Sequence, residues 1–235
     1  MKDILKQVPW KAMIAILLSG ILISGGILIY RQLTKPELPK YTVEFTGSQG
    51  AVLTQQQVTA GSCAIPPKLQ EDHDAIVFRG WSKHLYNIQK DMTVTPVYED
   101  LRQATNAFYM DSAYALPGEE MEMTLWLGGN VRLSGIELTL SYDKDVLQNF
   151  RCEAEGSPFR IVATGEDSVT LRLDAGDNLT EATAVATVRF TVSKDRADVA
   201  RTSILINMAD PVLTVSGAQV GTGSNAIHGD IYILS

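Results

Sequence analysis

The residues that could do chemistry are few. Glu71-Asp72-His73-Asp74 is the densest polar cluster. Its residue types could ligate a metal, but four consecutive side chains on a loop are expected to be solvated, so no metal site is expected. His73, His84 and His228 are scattered, and the chain holds no Gly-x-Ser-x-Gly, His-Glu-x-x-His or phosphate-loop motif. Glu119-Glu120 and Asp143/Asp145 are paired acids of the kind found at strand ends and turns. Acid–base work would need them in a pocket with displaced pKa values. Cys63 and Cys152 are the only cysteines. They fall in separate segments, form neither a disulfide framework nor a zinc set, and are expected to be buried free thiols. Asn178-Leu-Thr180 is a formal glycosylation sequon. The expectation is a protein that is not an enzyme and needs no cofactor.

The elements that would carry a binding surface are better marked. The 235 residues have a net charge of -7, and its distribution is uneven. Residues 1–40 hold six Lys/Arg and two acids, whereas residues 104–235 hold nine Lys/Arg and eighteen acids. An acidic body with no basic stripe argues against nucleic acid. Within the basic head, Trp10 to Tyr30 carries no charge between Lys11 and Arg31. A run of about 20 residues at ~1.5 Å rise spans a hydrocarbon core of ~30 Å. Trp10 and Tyr30 stand where interfacial aromatics belong. The run is too long for a signal-peptide core, and no small-residue cleavage pair follows it. The expected order is a cytoplasmic tail over 1–9, a transmembrane helix over 10–30 and a linker over 31–40 that contains Pro36 and Pro39. Localisation is then a single-pass cell membrane protein whose C-terminal body is extracellular.

Residues 41–100 read as a small β module. Tyr41, Val43 and Phe45 alternate with polar residues, Gly47-Ser48-Gln49-Gly50 makes a hairpin turn, and Val52 opens the return strand. Ala75–Ser82 and Met92–Asp100 give two further strand candidates. Tyr41-Thr-Val-Glu-Phe45, the Pro66-Pro67 pair, Phe78-x-Gly80-Trp81 and Asp91-Met-Thr-Val-Thr-Pro-Val-Tyr98 follow in order. This segment resembles the internalin B-repeat (Listeria–Bacteroides repeat) modules of Gram-positive surface proteins. The resemblance implies a β-grasp-like fold with a spacer or adhesive role, and Trp81 is expected to anchor its core.

Residues 104–235 read as a β-sandwich. Met121, Met123, Leu125 and Leu127 alternate with Glu120, Glu122, Thr124 and Trp126; Ile136, Leu138 and Leu140 alternate with Glu137, Thr139 and Ser141; Val169, Leu171 and Leu173 alternate with Thr170 and Arg172. Strands at such intervals, with a closing strand at Gly229–Leu234, mean a sandwich or jelly roll. A segment of this length can bury its own core. Trp126 has the outward parity and needs a cover, expected to be a loop of the same module, with the 41–100 module or a partner as the other candidates.

Ala115-Leu-Pro-Gly-Glu-Glu-Met-Glu-Met-Thr-Leu125, Leu133 to Leu147 with its strand ending in Tyr142-Asp143, Ala184 to Val192, and His228-Gly-Asp-Ile-Tyr232 resemble, in that order, the strands of cohesin domains. The resemblance spans about 106–235 and implies a jelly-roll β-sandwich that docks dockerin modules of secreted enzymes or scaffold proteins, as in cellulosome-type assembly. It further implies a flat sheet as the docking face. Matched on Tyr142-Asp143, that face would include Gly135, Glu137 and Thr139, then Arg172 and Asp174 on the neighbouring strand, and Asn207 and Asp210 on a third. Alternation alone would make each of these the solvated half of a strand. Two other readings stand beside the docking one: a carbohydrate-binding module, which would want a row of aromatics where this segment has only Trp126 as tryptophan, and a structural or adhesive surface protein.

Overall fold

The computed structural model describes residues 37–69, 75–103, 107–128, 131–133, 136–173, 182–209, 213–215, 218–220 and 226–234. The transmembrane segment expected over 10–30, the Glu71–Asp74 cluster and Asn178 lie outside these residues. Lys40–Ser235 forms one compact unit. It is almost entirely β: the one helical element among the described residues is the short 3-10 turn Leu101–Gln103.

The first part of this unit contains β1 (Lys40–Thr46), β2 (Val52–Thr59), β3 (Ile76–Trp81), β4 (Met92–Val94) and β5 (Pro96–Asp100). β1 and β2 form the hairpin that the glycine-rich turn predicts. Met92–Asp100, expected as one strand, is two. β4 pairs parallel with β1, while β5 pairs antiparallel with β3. Pro96 has no N–H to continue a ladder, and the break sits immediately before it. Val43, Phe45, Val94 and Trp81 fill the interior, with the Phe45 and Trp81 rings edge-on at 5.0 Å.

The second part is a sandwich of two sheets. Its strands are β6 (Phe108–Met110), β7 (Ala113–Ala115), β8 (Glu120–Leu127), β9 (Val131–Leu133), β10 (Ile136–Ser141), β11 (Leu147–Glu153), β12 (Phe159–Thr164), β13 (Ser168–Leu173), β14 (Thr183–Val192), β15 (Arg201–Ala209), β16 (Leu213–Val215), β17 (Ala218–Val220), β18 (Ala226–Ile227) and β19 (Gly229–Ile233). One sheet has the order β12-β13-β10-β15-β19-β7, the other β11-β14-β8-β6-β18, and β9, β16 and β17 make a small third sheet. Apart from the β12–β13 hairpin, successive strands of the two main sheets pass from one to the other, as in a jelly roll. The apolar halves of β8, β10, β13 and β14 meet in one core that includes Met123, Leu125, Leu138, Leu140, Leu171, Val188 and Phe190. Every member of that core belongs to residues 107–233, so the segment does bury its own interior.

Several contacts tie the two parts together. Leu234, at the end of the chain, is buried in the core of the first part beside Val94 and Trp81. Val77 and Leu101 of the first part close over Tyr109, and Trp126 packs against that cluster. The cover of Trp126 therefore includes the 41–100 module, not just a loop of its own module. Finally, Arg79 donates to the Met110 carbonyl at 2.5 Å.

Candidate docking face

β10 lies between β13 and β15 in the middle of the six-stranded sheet. Period-two alternation sends Ile136, Leu138 and Leu140 inward, where all three are buried, and leaves Glu137, Thr139 and Ser141 outward. Register then sets the outer face as rows. Glu137 stands opposite Arg172 on β13 and Ala209 on β15; Thr139 opposite Thr170 and Asn207; Ser141 opposite Ser168 and Leu205. β12 extends the first row with Arg160, opposite Arg172.

The side chains of these rows are bonded to one another. Arg172 donates from Nε at 2.9 Å and from a terminal nitrogen at 2.5 Å to the same Glu137 oxygen. The two side chains are 46% and 39% exposed, so this is a solvated pair of the kind worth about 0–1 kcal/mol. The hydroxyls of Thr139 and Thr170 are 3.0 Å apart, and Asn207 donates to Ser141 Oγ at 3.2 Å. Leu205 is 44% exposed on the same face. The arrangement offers a sheet surface of hydroxyl, amide and paired charge with Leu205 as an exposed apolar residue, which suits hydrogen bonding to another folded surface. Of the residues expected on this face, Glu137, Thr139, Arg172 and Asn207 are brought together. Gly135, Asp174 and Asp210 lie outside the described residues.

The face continues toward β19 and β7. Asp230 accepts from Arg201 at 2.7 Å and from Ser203 Oγ at 2.8 Å. The Arg201 guanidinium lies 5.6 Å from the Tyr232 ring centroid, and Tyr232 stacks on Tyr114 at 4.7 Å. Sequence alternation did not mark this stretch, because its partners come from three distant segments.

Several motif residues have local structural roles. Asp143 accepts the Asp145 N–H on its carboxylate at 3.0 Å, and its carbonyl accepts from Val146 and Leu147. The Tyr-Asp ending thus makes the turn from β10 to β11. Gly229 of the closing strand is required by space, since a Cβ there would lie 2.6 Å from Met110 Sδ and 2.7 Å from Met123 Cε. His228 accepts the Ile206 N–H at Nδ1, 3.0 Å away, beside the end of the β15–β19 ladder. Cys63 and Cys152 are not in a disulfide and are half-buried, not fully buried; burial pushes the Cys152 thiol up to about 11. Among the described residues no group of three His, Cys, Asp or Glu is placed to hold a metal.

No family model matches the chain, and no curated protein matches it. Similar solved structures exist. The seventh type I cohesin of ScaB from Pseudobacteroides cellulosolvens is 15% identical, with a TM-score of 0.43 over 55% of this chain and 91% of that one. The sixth cohesin of scaffoldin B from Acetivibrio cellulolyticus, solved in complex with a mutant Cel5 dockerin, is 14% identical, with a TM-score of 0.44 over 55% and 99%. A non-cellulosomal cohesin from Archaeoglobus fulgidus is 17% identical, with a TM-score of 0.39 over 56% and 93%.

Proposed function

We propose that this chain is a cell-surface cohesin, anchored in the membrane by residues 10–30, that captures dockerin-bearing enzymes or scaffold proteins on the outer face of β10, β13 and β15. The observation that carries the reading is the coincidence of motif and geometry. The stretch from Leu133 to Leu147, which most resembles cohesins in sequence, includes the central strand of a flat polar sheet, and the Glu137–Arg172 pair stands at one end of its outward rows. Among the described residues nothing on that face resembles a nucleophile with its base, and the reading is one of binding. The 41–100 segment, read as an internalin-type repeat, would hold the docking module away from the bilayer.

Capture of the full chain from solution by a panel of purified dockerins tests this directly. Glu137→Ala and Arg172→Ala should each weaken capture by about 1–3 kcal/mol if they are central contacts, while a surface pair of this kind leaves the melting temperature nearly unchanged. Undiminished capture by the double variant would remove this sheet as the docking surface. Protease shaving of intact cells tests the anchor and should release a fragment beginning near residues 35–41.

A further inference from the structure

A half-open cavity of about 800 Å3 lies at the junction of the two parts. Binding sites for small ligands have volumes of about 300–1,000 Å3 and combine apolar walls with a few convergent polar groups. Phe78, Trp81 and Tyr98 of the first part line one side of this cavity, and Trp126 of β8 lines the other. The carbohydrate reading looked weak in the sequence because residues 104–235 contain a single tryptophan. Folding brings that tryptophan into one cavity with three aromatic rings of the other module.

The polar groups point to the kind of ligand. Asp111 lines the cavity and already accepts the Thr124 N–H at 2.9 Å and the Trp126 indole N–H. A carboxylate has about four lone-pair sites, so capacity for a ligand hydroxyl remains. Ser112 also lines the cavity; it is 6% exposed and its hydroxyl has no hydrogen-bond partner, so its donor remains available to a ligand. The other acids are largely countered at home. Lys68 lies 3.4 Å from Glu119, Arg189 lies 2.7 Å from Glu122, and the Arg79 guanidinium acts on Asp111. Of the exposed lining acids Glu120 alone has no ion pair among the described residues, which leaves one exposed carboxylate for a ligand and little more for a cation. A neutral ligand with apolar ring faces for the aromatics and hydroxyls for Asp111, Ser112 and Glu120 matches the walls better.

We propose that this inter-module cavity binds a short neutral oligosaccharide of hexose or pentose units. Its lining includes none of Glu137, Thr139, Arg172 and Asn207, so the protein would hold a glycan and a protein partner through different residues.

Isothermal titration and tryptophan fluorescence of the full chain with cellohexaose, xylohexaose and mannohexaose test the proposal. At least one should bind at a single site with a Kd of about 1 mM or tighter. Trp126→Ala should weaken it about tenfold or more, and Glu120→Ala should weaken it measurably. The Glu137→Ala/Arg172→Ala double variant should bind the sugar as the unmodified chain does. Should Trp126→Ala unfold the protein, Glu120→Ala and Ser112→Ala decide the matter. Silence from all three sugars with a natively folded chain overturns the proposal, as does binding that survives every cavity variant or is lost with Glu137 and Arg172. Dockerin capture plays no part in any of these readings.

Discussion

The Tyr114 hydroxyl accepts the backbone N–H of Trp81 at 3.1 Å, joining β7 of the sandwich to β3 of the first module. Gly80 makes the approach possible. It sits at the bulge of β3 with φ of +124°, and a Cβ built on it would lie 3.1 Å from that same oxygen. The Phe-x-Gly-Trp motif is therefore a socket for a residue of the neighbouring module as well as a core anchor. Burial, the largest effect on Tyr114, pushes its phenol up to about 12, so it stays protonated at any physiological pH.

Two substitutions should separate the socket from general packing. Tyr114→Phe keeps the ring on Tyr232 and Phe78 but leaves the Trp81 N–H without its acceptor, which costs about 1–3 kcal/mol for a buried donor. Gly80→Ala adds backbone strain at a φ that L-residues rarely adopt, on the order of 1–3 kcal/mol, together with the steric conflict. Urea unfolding of each variant checks both. A Tyr114→Phe chain as stable as the parent would mean that water replaces the hydroxyl without loss.

The strands of the sandwich were legible because each buries one face: β8, β10, β13 and the closing strand show in period-two alternation. Parity alone marked Glu137, Thr139 and Arg172 only as solvated halves of strands; the resemblance matched on Tyr142-Asp143 put them on one face with Asn207, and the register that joins them came from the structure. β12 was not legible, since five of its six residues are exposed and alternation has nothing to act on. The break at Thr95/Pro96 was readable from proline chemistry, yet the sheet that each half joins was not. Least legible was the junction. Tyr114 and Leu234 look like members of their own module, and only tertiary proximity puts them with Trp81 and the first module's core; Trp126 showed by parity that it needed a cover, but not that Val77 and Leu101 supply it. Asp111 and Ser112 carried no sequence signal, because an isolated acid and serine between short strands look the same in a cavity as in a loop.

Leu234 tests whether the two modules unfold as one. Its side chain is buried in the first module's core, while its N–H donates to Ala115 of the second at 2.9 Å. Leu234→Ala should cost about 2–4 kcal/mol through lost burial and the cavity left behind. The loss should appear in both modules together, as one transition displaced to lower urea when followed by near-ultraviolet signals and by amide exchange. Two separate transitions in the parent chain would mean that the junction does not couple them. The same contacts predict that residues 104–235 alone form a sandwich with its own core intact but with Tyr109 and Trp126 uncovered. Such a fragment should self-associate, measured by sedimentation, because a bared aromatic patch is favourable to bury at ~25 cal/mol per Å2.

Asp111 makes stability depend on pH in an unusual direction. Burial raises its carboxyl from 3.8 to about 6, against the opposing pull of the Thr124 N–H, Arg79 and the Trp126 indole. A carboxyl that holds its proton more tightly when folded stabilises the fold below its unfolded pKa, and that contribution fades as pH rises through the folded value. Between pH 4 and pH 7 the Asp111 contribution should therefore fall by about 2–3 kcal/mol, at ~1.4 kcal/mol per unit of pKa. Asp111→Asn keeps an acceptor for Thr124 and removes the titration. The variant should thus gain stability relative to the parent as pH rises from 4 to 7, read as the difference between their urea midpoints at each pH. A difference that stays constant across that range would show that the Thr124, Trp126 and Arg79 interactions fully offset the burial of the charge.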